Sequence, residues 1–470
     1  MYPVHKLILL LLISQFSFAT GAQNIYVAPT GNNSSAGSSE APYLTIQKAA
    51  NMAQAGDTVW IRGGTYRESI SLSRDGTAEQ FIVFSAYPGE EVLISGCDLL
   101  TGWKELGNGI WEAPLQSPMP EYRNQLFING KAMTKARWPN SRDDNPLTPE
   151  GGVCDQPKCN MAKISVRGDF PDTWTSTSLN GASIWVIAQS KWSAWNSAVN
   201  GYDPATGTVS VDEVTHSWFV DYMNPGNPSP WNYGDSYFIL SGAKALLDTA
   251  GEWWYDNSNK KVQIIPFEGL APDSPGVEIE AKKRDYGFVL NNRSYVQIQD
   301  IHFRGTAISM NESKNCILSG LNFYEFDYRE GTTLLFYRSA GIYISGQDNI
   351  VRECEFTHCS DAGVTLEGRN NAIVNCYFHE VDYAGYDGGP INLQGQGHLV
   401  SHNTVEKTSR KAINPGGLGH LIQYNFIREV GLVNRDQAAI YSGGFDAGNT
   451  VIRYNWINVT NGNKESSAAG

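Results

Sequence analysis

Basic residues are scarce in this sequence and nowhere clustered. The 35 Lys and Arg are outnumbered by 48 Asp and Glu, which leaves a formal net charge of −13. A nucleic-acid partner is disfavoured on that ground, because neutralising phosphates needs a basic surface. A strongly anionic ligand would need a local basic site. Long apolar runs are missing after the N-terminus, so no later stretch can cross a bilayer as a helix. Cysteines number seven in 470 residues. That excludes a disulfide-built scaffold at this length, and none of them stands in a zinc-ligand pattern. Cys154 and Cys159 are spaced to close a small loop disulfide. Charged residues make up 18%, whereas aromatics reach 11% and glycines number 47. This composition suits a β-rich, turn-rich extracellular protein rather than a helical one.

The N-terminus reads as an export leader. Lys6 precedes an apolar run from Leu7 to Ile13, extended by Phe16 and Phe18, and Thr20, Gly21 and Ala22 supply small residues for cleavage before Gln23. A run of about 12 residues is too short for a bilayer that needs about 20. The expectation is residues 1–22 as a signal peptide, a secreted or periplasmic monomer, and no membrane association after cleavage.

The second half carries an internal repeat. Segments 296–303, 317–323, 350–356, 372–378, 399–405, 421–427 and 451–457 align. One column holds Ile298, Leu318, Val351, Ile373, Val400, Ile422 and Ile452, and another Phe303, Phe323, Phe356, Phe378, Val405, Ile427 and Ile457. Between them run Ile301, Leu321, Cys354, Cys376, Asn403, Asn425 and Asn455. The outer columns stay apolar while their neighbours vary, as expected of coils that stack the same side chains inward. Asparagines in an inward column must satisfy their amides, so they are expected to bond along a ladder at a bend between strands. Cys354 and Cys376 then read as buried thiols at the same bend. Leucine-rich and helical solenoids are disfavoured, because leucine is sparse and the segments are short, β-branched and bounded by Gly and Asn. The fold class is all-β, a parallel β-helix over 281–460, with 461–470 as a tail. That tail offers no cap, and further coils are expected beyond it.

Residues 23–100 open differently. Ile46, Ala49, Ala50 and Ala53 fall at helical spacing and predict a short helix capping the solenoid's open end. Residues 57–66 and 81–86 read as the first strands. Tyr26, Val27 and Gly31, then Pro42, Thr45, Ile46, Gln47 and Lys48, then Gly56, Asp57 and Thr58, then Gly63, Gly64, Tyr66, Arg67 and Glu68 form a pattern. It resembles the N-terminal cap of secreted pectate-lyase-like right-handed parallel β-helix proteins. These include lyases of the chondroitinase B and alginate lyase type, and β-helical glycoside hydrolases. The resemblance implies the right-handed fold and an extracellular polysaccharide or oligosaccharide as partner.

Residues 101–280 break the repeat and hold eleven of the 13 tryptophans. Alternating stretches at 124–129, 207–211 and 261–265 predict an inserted β-sandwich-like module. Its segments 125–131, 136–140 and 251–256 are similar to those of β-helical glycosidases with such an insert, which favours hydrolase over lyase. Trp192, Trp195 and Trp231 sit in loop-like sequence where an exposed ring would stack on a sugar, although module core is the ordinary fate of such residues.

A second strand column, Ile342, Val364, Ile391, Ile413 and Ile440, locates the candidate site. Four residues ahead of it stand Asp387 and Asp436, two coils apart. Rungs about 4.8 Å apart put their backbones roughly 10 Å from each other. Leaning carboxyls then approach the ~6.5–9.5 Å of an inverting glycosidase better than the ~5–5.5 Å of a retaining one. Asp361, Arg410, Lys411, His402 and Tyr441 complete the expected substrate-binding set, with Asp446, Glu380 and Asp382 in reserve. A lyase would instead use Lys411 as base and Arg410 as carboxylate clamp, and could recruit Ca²⁺; the hydrolase needs no cofactor or metal. His398 and His420 begin their coils equivalently and read as turn residues. A non-catalytic carbohydrate-binding protein would show the same repeat.

Overall fold

The computed structural model describes residues 21–119, 123–141, 145–147, 151–154, 163–167, 170–187, 194–211, 237–329, 341–386, 388–434, 438–442 and 448–460. Three parallel sheets of ten, nine and seven strands wind around one axis. Each full coil passes from sheet 1 through a tight bend to sheet 2, then through a variable connection to sheet 3. One such coil runs Leu399–Ser401, Thr404–Thr408, Ile413–Pro415. The register of sheet 1 is the aligned column itself, from Ile298↔Leu318 to Ile422↔Ile452. In sheet 2 it runs from Phe303↔Phe323 to Ile427↔Ile457. Alternation along each strand sends these residues, as far as the rung of Ile422 and Ile427, into a single continuous core, while Ile452 and Ile457 on the last rung are exposed.

The bend between sheets 1 and 2 takes one residue in the left-handed region, such as Glu353, Asn375, His402 or Tyr424. The inward residue that follows carries the ladder. Asn425 Oδ1 accepts from the backbone N–H of Asn403 and from its Nδ2, both at 3.0 Å, and Asn455 repeats this one rung on. Cys354 and Cys376 occupy the same column as free, buried thiols. Cys159 lies outside the described residues.

A second ladder lines the turn from sheet 3 back to sheet 1, and histidines extend it. Asn349 and Asn371 stack there, then the His398 and His420 rings lie 5.0 Å apart and nearly parallel. The Asn371 N–H donates to His398 Nδ1 at 3.1 Å, and His398 Nε2–H donates to the Gln394 carbonyl at 2.6 Å. The contact at Nδ1 needs that nitrogen unprotonated, and burial pushes His398 down to about 4. In the unfolded chain the ring protonates near its ordinary value of about 6.5, so stability is full above that pH and is lost as pH falls toward 4. The expected loss from this one residue is on the order of 3 kcal/mol. His398→Asn repeats the rung chemistry of Asn371 without a titrating group. Its denaturation midpoint should therefore fall less between pH 7 and pH 4.5 than that of the wild type; equal falls would remove the histidine as the cause.

At the N-terminal end the helix Ile46–Met52 packs on the first strands, started by Thr45, whose side chain accepts from the Lys48 N–H, and by Glu68, which accepts from Ile46 and Gln47. Between Cys97–Leu99 and Ile279–Lys282 the chain leaves the solenoid and forms largely antiparallel sheets with two cores of their own. Here the loop reading of Trp195 is corrected. It lies in the strand Ala194–Asp203, pairs with Val186 and is 4% exposed, so no face is left for a sugar. Trp192 and Trp231 are outside the described residues.

Candidate active site at the corner between sheets 2 and 3

The bend between sheets 1 and 2 is too tight to carry chemistry, whereas the connection from sheet 2 to sheet 3 varies in length and collects buried polar groups. Strands Glu355–Cys359, Tyr377–Val381 and Thr404–Thr408 end there, and Val364–Leu366, Ile391–Leu393 and Ile413–Pro415 begin. The register Ile342↔Val364↔Ile391↔Ile413↔Ile440 is that of the aligned column. Asp327, Asp361, Arg410 and Lys411 are all buried at this corner. Charges so placed persist only when other charges and dipoles face them. Arg329 Nε lies 3.5 Å from Asp327 Oδ2, and its Nη1 lies 4.0 Å from Asp361 Oδ2. Asp327 also accepts the Gly341 N–H at 2.9 Å.

Two glycines let successive coils close on one another. A Cβ on Gly388 would fall 2.4 Å from Asp361 Oδ1, and one on Gly389 would fall 3.2 Å from Lys411 Cγ. Asp361, this Gly pair and Lys411 thus occupy three consecutive rungs. Tyr441 covers the next, with Lys411 Nζ 5.3 Å and Arg410 Cζ 5.9 Å from its ring centre.

The structure therefore brings Asp361, Arg410, Lys411 and Tyr441 to one corner. Asp387, Asp436 and Asp446 lie outside the described residues, though the strand positions four residues on from the first two are in register. His402 is a correction. It occupies the left-handed position of the opposite bend, between sheets 1 and 2, where its ring stacks on Tyr424 at 5.1 Å. The turn geometry holds it away from Arg410 and Lys411, and it is not part of this site.

A column of which the sequence reading singled out Glu380 alone stands beside the corner. Glu325, His358, Glu380, Lys407 and Glu429 each take a left-handed conformation, two residues past the inward column of sheet 2. Their charges alternate. His358 Nε2 meets Glu380 Oε2 at 2.8 Å, and Lys407 Nζ lies 3.9 Å from Glu380. That pairing holds the Glu380 carboxyl below its ordinary range, and the two glutamates facing His358 outweigh burial and raise its imidazole. Glu325, fully buried, is pushed up to about 7 by loss of hydration, with His358, Gln125 and Lys282 opposing the shift. The signal was present in the aligned segments as the sign alternation two places beyond Phe323, Phe356, Phe378, Val405 and Ile427.

The inserted module walls this corner. Leu147, Ile187 and Ala194 pack with Val433, and Trp185 Nε1 donates to the Ala384 carbonyl at 2.9 Å. Between module and coils lies a cavity of 320 Å³, reached by Glu325, His358 and Arg329 from the coils and by Gln125, Trp185 and Trp253 from the module. Among the described residues no three His, Cys, Asp or Glu side chains converge as a metal site.

Residues 25–112 match a family model described as the Pel9A-like, right handed beta helix region, and residues 306–466 one described as the right handed beta helix region. Over 80 residues the chain is 44% identical to pectate lyase PEL9 of Emericella nidulans, covering 17% of this chain and 20% of that protein. Over 91 residues it is 37% identical to the uncharacterized protein YwoF of Bacillus subtilis, covering 19% of this chain and 18% of that one. The matched stretches thus span about a fifth of these curated relatives. A solved glycoside hydrolase superposes with a TM-score of 0.70 at 18% identity, over 93% of this chain and 88% of the other. The structure of XylC with xylose gives 0.56 at 15% identity, over 94% and 67%. At such identities the likeness is one of fold.

Proposed function

We propose, from the premise that this chain is a pectate-lyase-like right-handed parallel β-helix protein, that it is an exported inverting glycoside hydrolase acting on extracellular polysaccharide or oligosaccharide. The observation that carries the reading is the register Ile391↔Ile413↔Ile440. It supports a spacing of two rungs between Asp387 and Asp436, each four residues ahead of its strand position. The nearly full-length likeness in fold to a glycoside hydrolase points the same way. One carboxylate removes a proton from water, whose oxygen attacks the anomeric carbon. The other carboxylic acid gives its proton to the glycosidic oxygen as that C–O bond breaks, so the product anomer is inverted. Arg410, Lys411, Asp361 and Tyr441 line the groove and hold sugar hydroxyls. The leader at residues 1–22, the monomeric state and the absence of any required cofactor belong to the same proposal.

A second reading is favoured by one observation, the burial of Lys411 and Arg410 side by side at this corner. Lys411 would take the proton at C5 of a uronate while Arg410 neutralises its carboxylate, and the leaving group would depart by β-elimination. A glycan screen read in parallel by reducing-sugar assay and by ultraviolet absorbance separates the two. New reducing ends without absorbance, and an inverted anomer by NMR, are expected. Absorbance rising in step with new ends on a uronate polymer transfers the assignment to the lyase.

A further inference from the structure

The inserted module is itself a corner connection. The chain leaves sheet 2 after the strand Val92–Ser95 and enters sheet 3 at Tyr286–Val289, so the module fills the place that later coils give to the link between these two sheets. A ligand lying along the corner runs into the module at that coil. From there the module leans along the solenoid axis. Gln125 Nε2 donates to Glu325 Oε2 at 2.9 Å, the Ala194 N–H donates to the Gly385 carbonyl at 2.9 Å, and Leu147 and Ile187 pack with Val433. These partners stand just past the strands Asn322–Tyr324, Tyr377–Val381 and Phe426–Val430. The first and last of those strands are four rungs apart. At about 4.8 Å per rung, the module follows the corner for roughly 19 Å. The outer face of sheet 3 agrees. Thr365, Asn392 and Asn414 are in register next to the inward Val364, Ile391 and Ile413, so alternation points them outward, yet all three are buried. An open groove with these residues as its floor would leave them to solvent.

We propose that the module closes one end of the corner and so makes the enzyme act on chain ends. The terminal sugar enters the cavity between module and coils, and the rest of the chain extends along the corner toward the later coils. A polymer bound in mid-chain needs an opening at both ends of its site, and here one end stops at the module. The space that remains is 320 Å³, at the small end of ligand pockets, which run to about 1,000 Å³. It has room for the end of a chain rather than for a run of sugars. Arg329 joins the two parts, because it lines the cavity and approaches Asp361 at the corner. Lys131, Lys135 and Arg137 stand among the walls beside Glu325 and His358, so the geometry restricts the length of the bound segment and not its charge. The proposal rests on the carbohydrate reading above, but neither on Asp387 and Asp436 as the reacting pair nor on hydrolysis over elimination.

The test uses the full chain and two kinds of probe. Neutral and acidic oligosaccharides of xylose, galactose and galacturonate offer free ends. Dyed, cross-linked xylan, galactan and polygalacturonan release soluble colour only when cut internally. At least one oligosaccharide should lose a product of one fixed small size from the first minutes, read by chromatography, and no dyed polymer should release colour. Thr134 is exposed on the cavity wall, so a tryptophan there obstructs the cavity without touching a core. Thr134→Trp should raise KM for that oligosaccharide by about tenfold or more with kcat little changed, the mark of lost ground-state binding. Thr134→Ser should behave as the wild type, and an unshifted denaturation midpoint shows that the tryptophan variant is folded. Four results overturn the proposal: colour released from a dyed polymer, early products of mixed length, no oligosaccharide shortened from an end, or an unmoved KM in the folded tryptophan variant. Ultraviolet-absorbing products of one fixed size, or full turnover by Asp387→Asn and Asp436→Asn, would instead sink the hydrolase reading or its reacting pair and leave chain-end action standing.

Discussion

Asp436→Asn is expected to keep the coil stack intact and to lower the rate of sugar release by about 10³-fold or more, and Asp387→Asn to do the same. The size follows from the role. General acid and general base each contribute typically ~10²–10⁴-fold, and an amide of the same shape can neither take a proton from water nor give one to the glycosidic oxygen. The stack survives because its stability resides in the inward columns, which neither substitution touches. Aryl glycosides tell the two carboxyls apart. A good leaving group needs little protonation, so the variant lacking the acid should recover most of its rate on such a substrate, while the variant lacking the base should not. Initial rates on the glycan found by screening, and on its aryl counterpart, provide the measurement. Wild-type turnover by both variants would falsify the two-aspartate mechanism.

Phe356→Ala should produce the largest loss of stability among single core changes. Its ring lies 5.1 Å from Phe323 and 4.6 Å from Phe378, nearly parallel to both, and 5.8 Å from Phe326. It is fully buried. Removing it leaves a cavity in the middle of the stack, which the flanking rungs cannot close without breaking their own ladder bonds. Truncations of buried phenylalanine cost about 3–5 kcal/mol. Tyr424→Ala provides the contrast. Its ring stacks on Tyr454 at 5.2 Å but is 47% exposed, so a loss under about 1 kcal/mol is expected. Denaturant midpoints for the two variants and the wild type settle the ranking; similar shifts for both would mean that the inward stack does not govern cooperativity.

The legible part of the site was its register. Ile391, Ile413 and Ile440 could be aligned from sequence because a parallel strand must present the same face on every rung. The positions ahead of them, where Arg410, Lys411 and Asp361 stand, came with the alignment. His402 failed for the opposite reason. It was grouped with Arg410 by nearness in the chain, yet a coil turns two corners between its sheets, so residues eight apart face different sides. For Trp195 the module-core reading held and the loop reading failed, because its polar and small neighbours resembled a loop, whereas the partner strand Ser183–Ile187 comes from before it in the chain and buries it.

Glu325, His358 and Gln125 show where the boundary runs. The sequence alone determined the three-sheet coil, the Asn ladder, the stacked phenylalanines, the helix at Ile46–Met52 and the column next to the candidate aspartates. All of these repeat or sit at fixed local spacing, and a repeat writes its own contacts into the sequence. Only the tertiary structure decided that the inserted module folds back over the corner, that Gln125 meets Glu325 across 200 positions of chain, and that a cavity closes between them. Those contacts occur once, between segments with no common period, so packing in three dimensions alone brings them together.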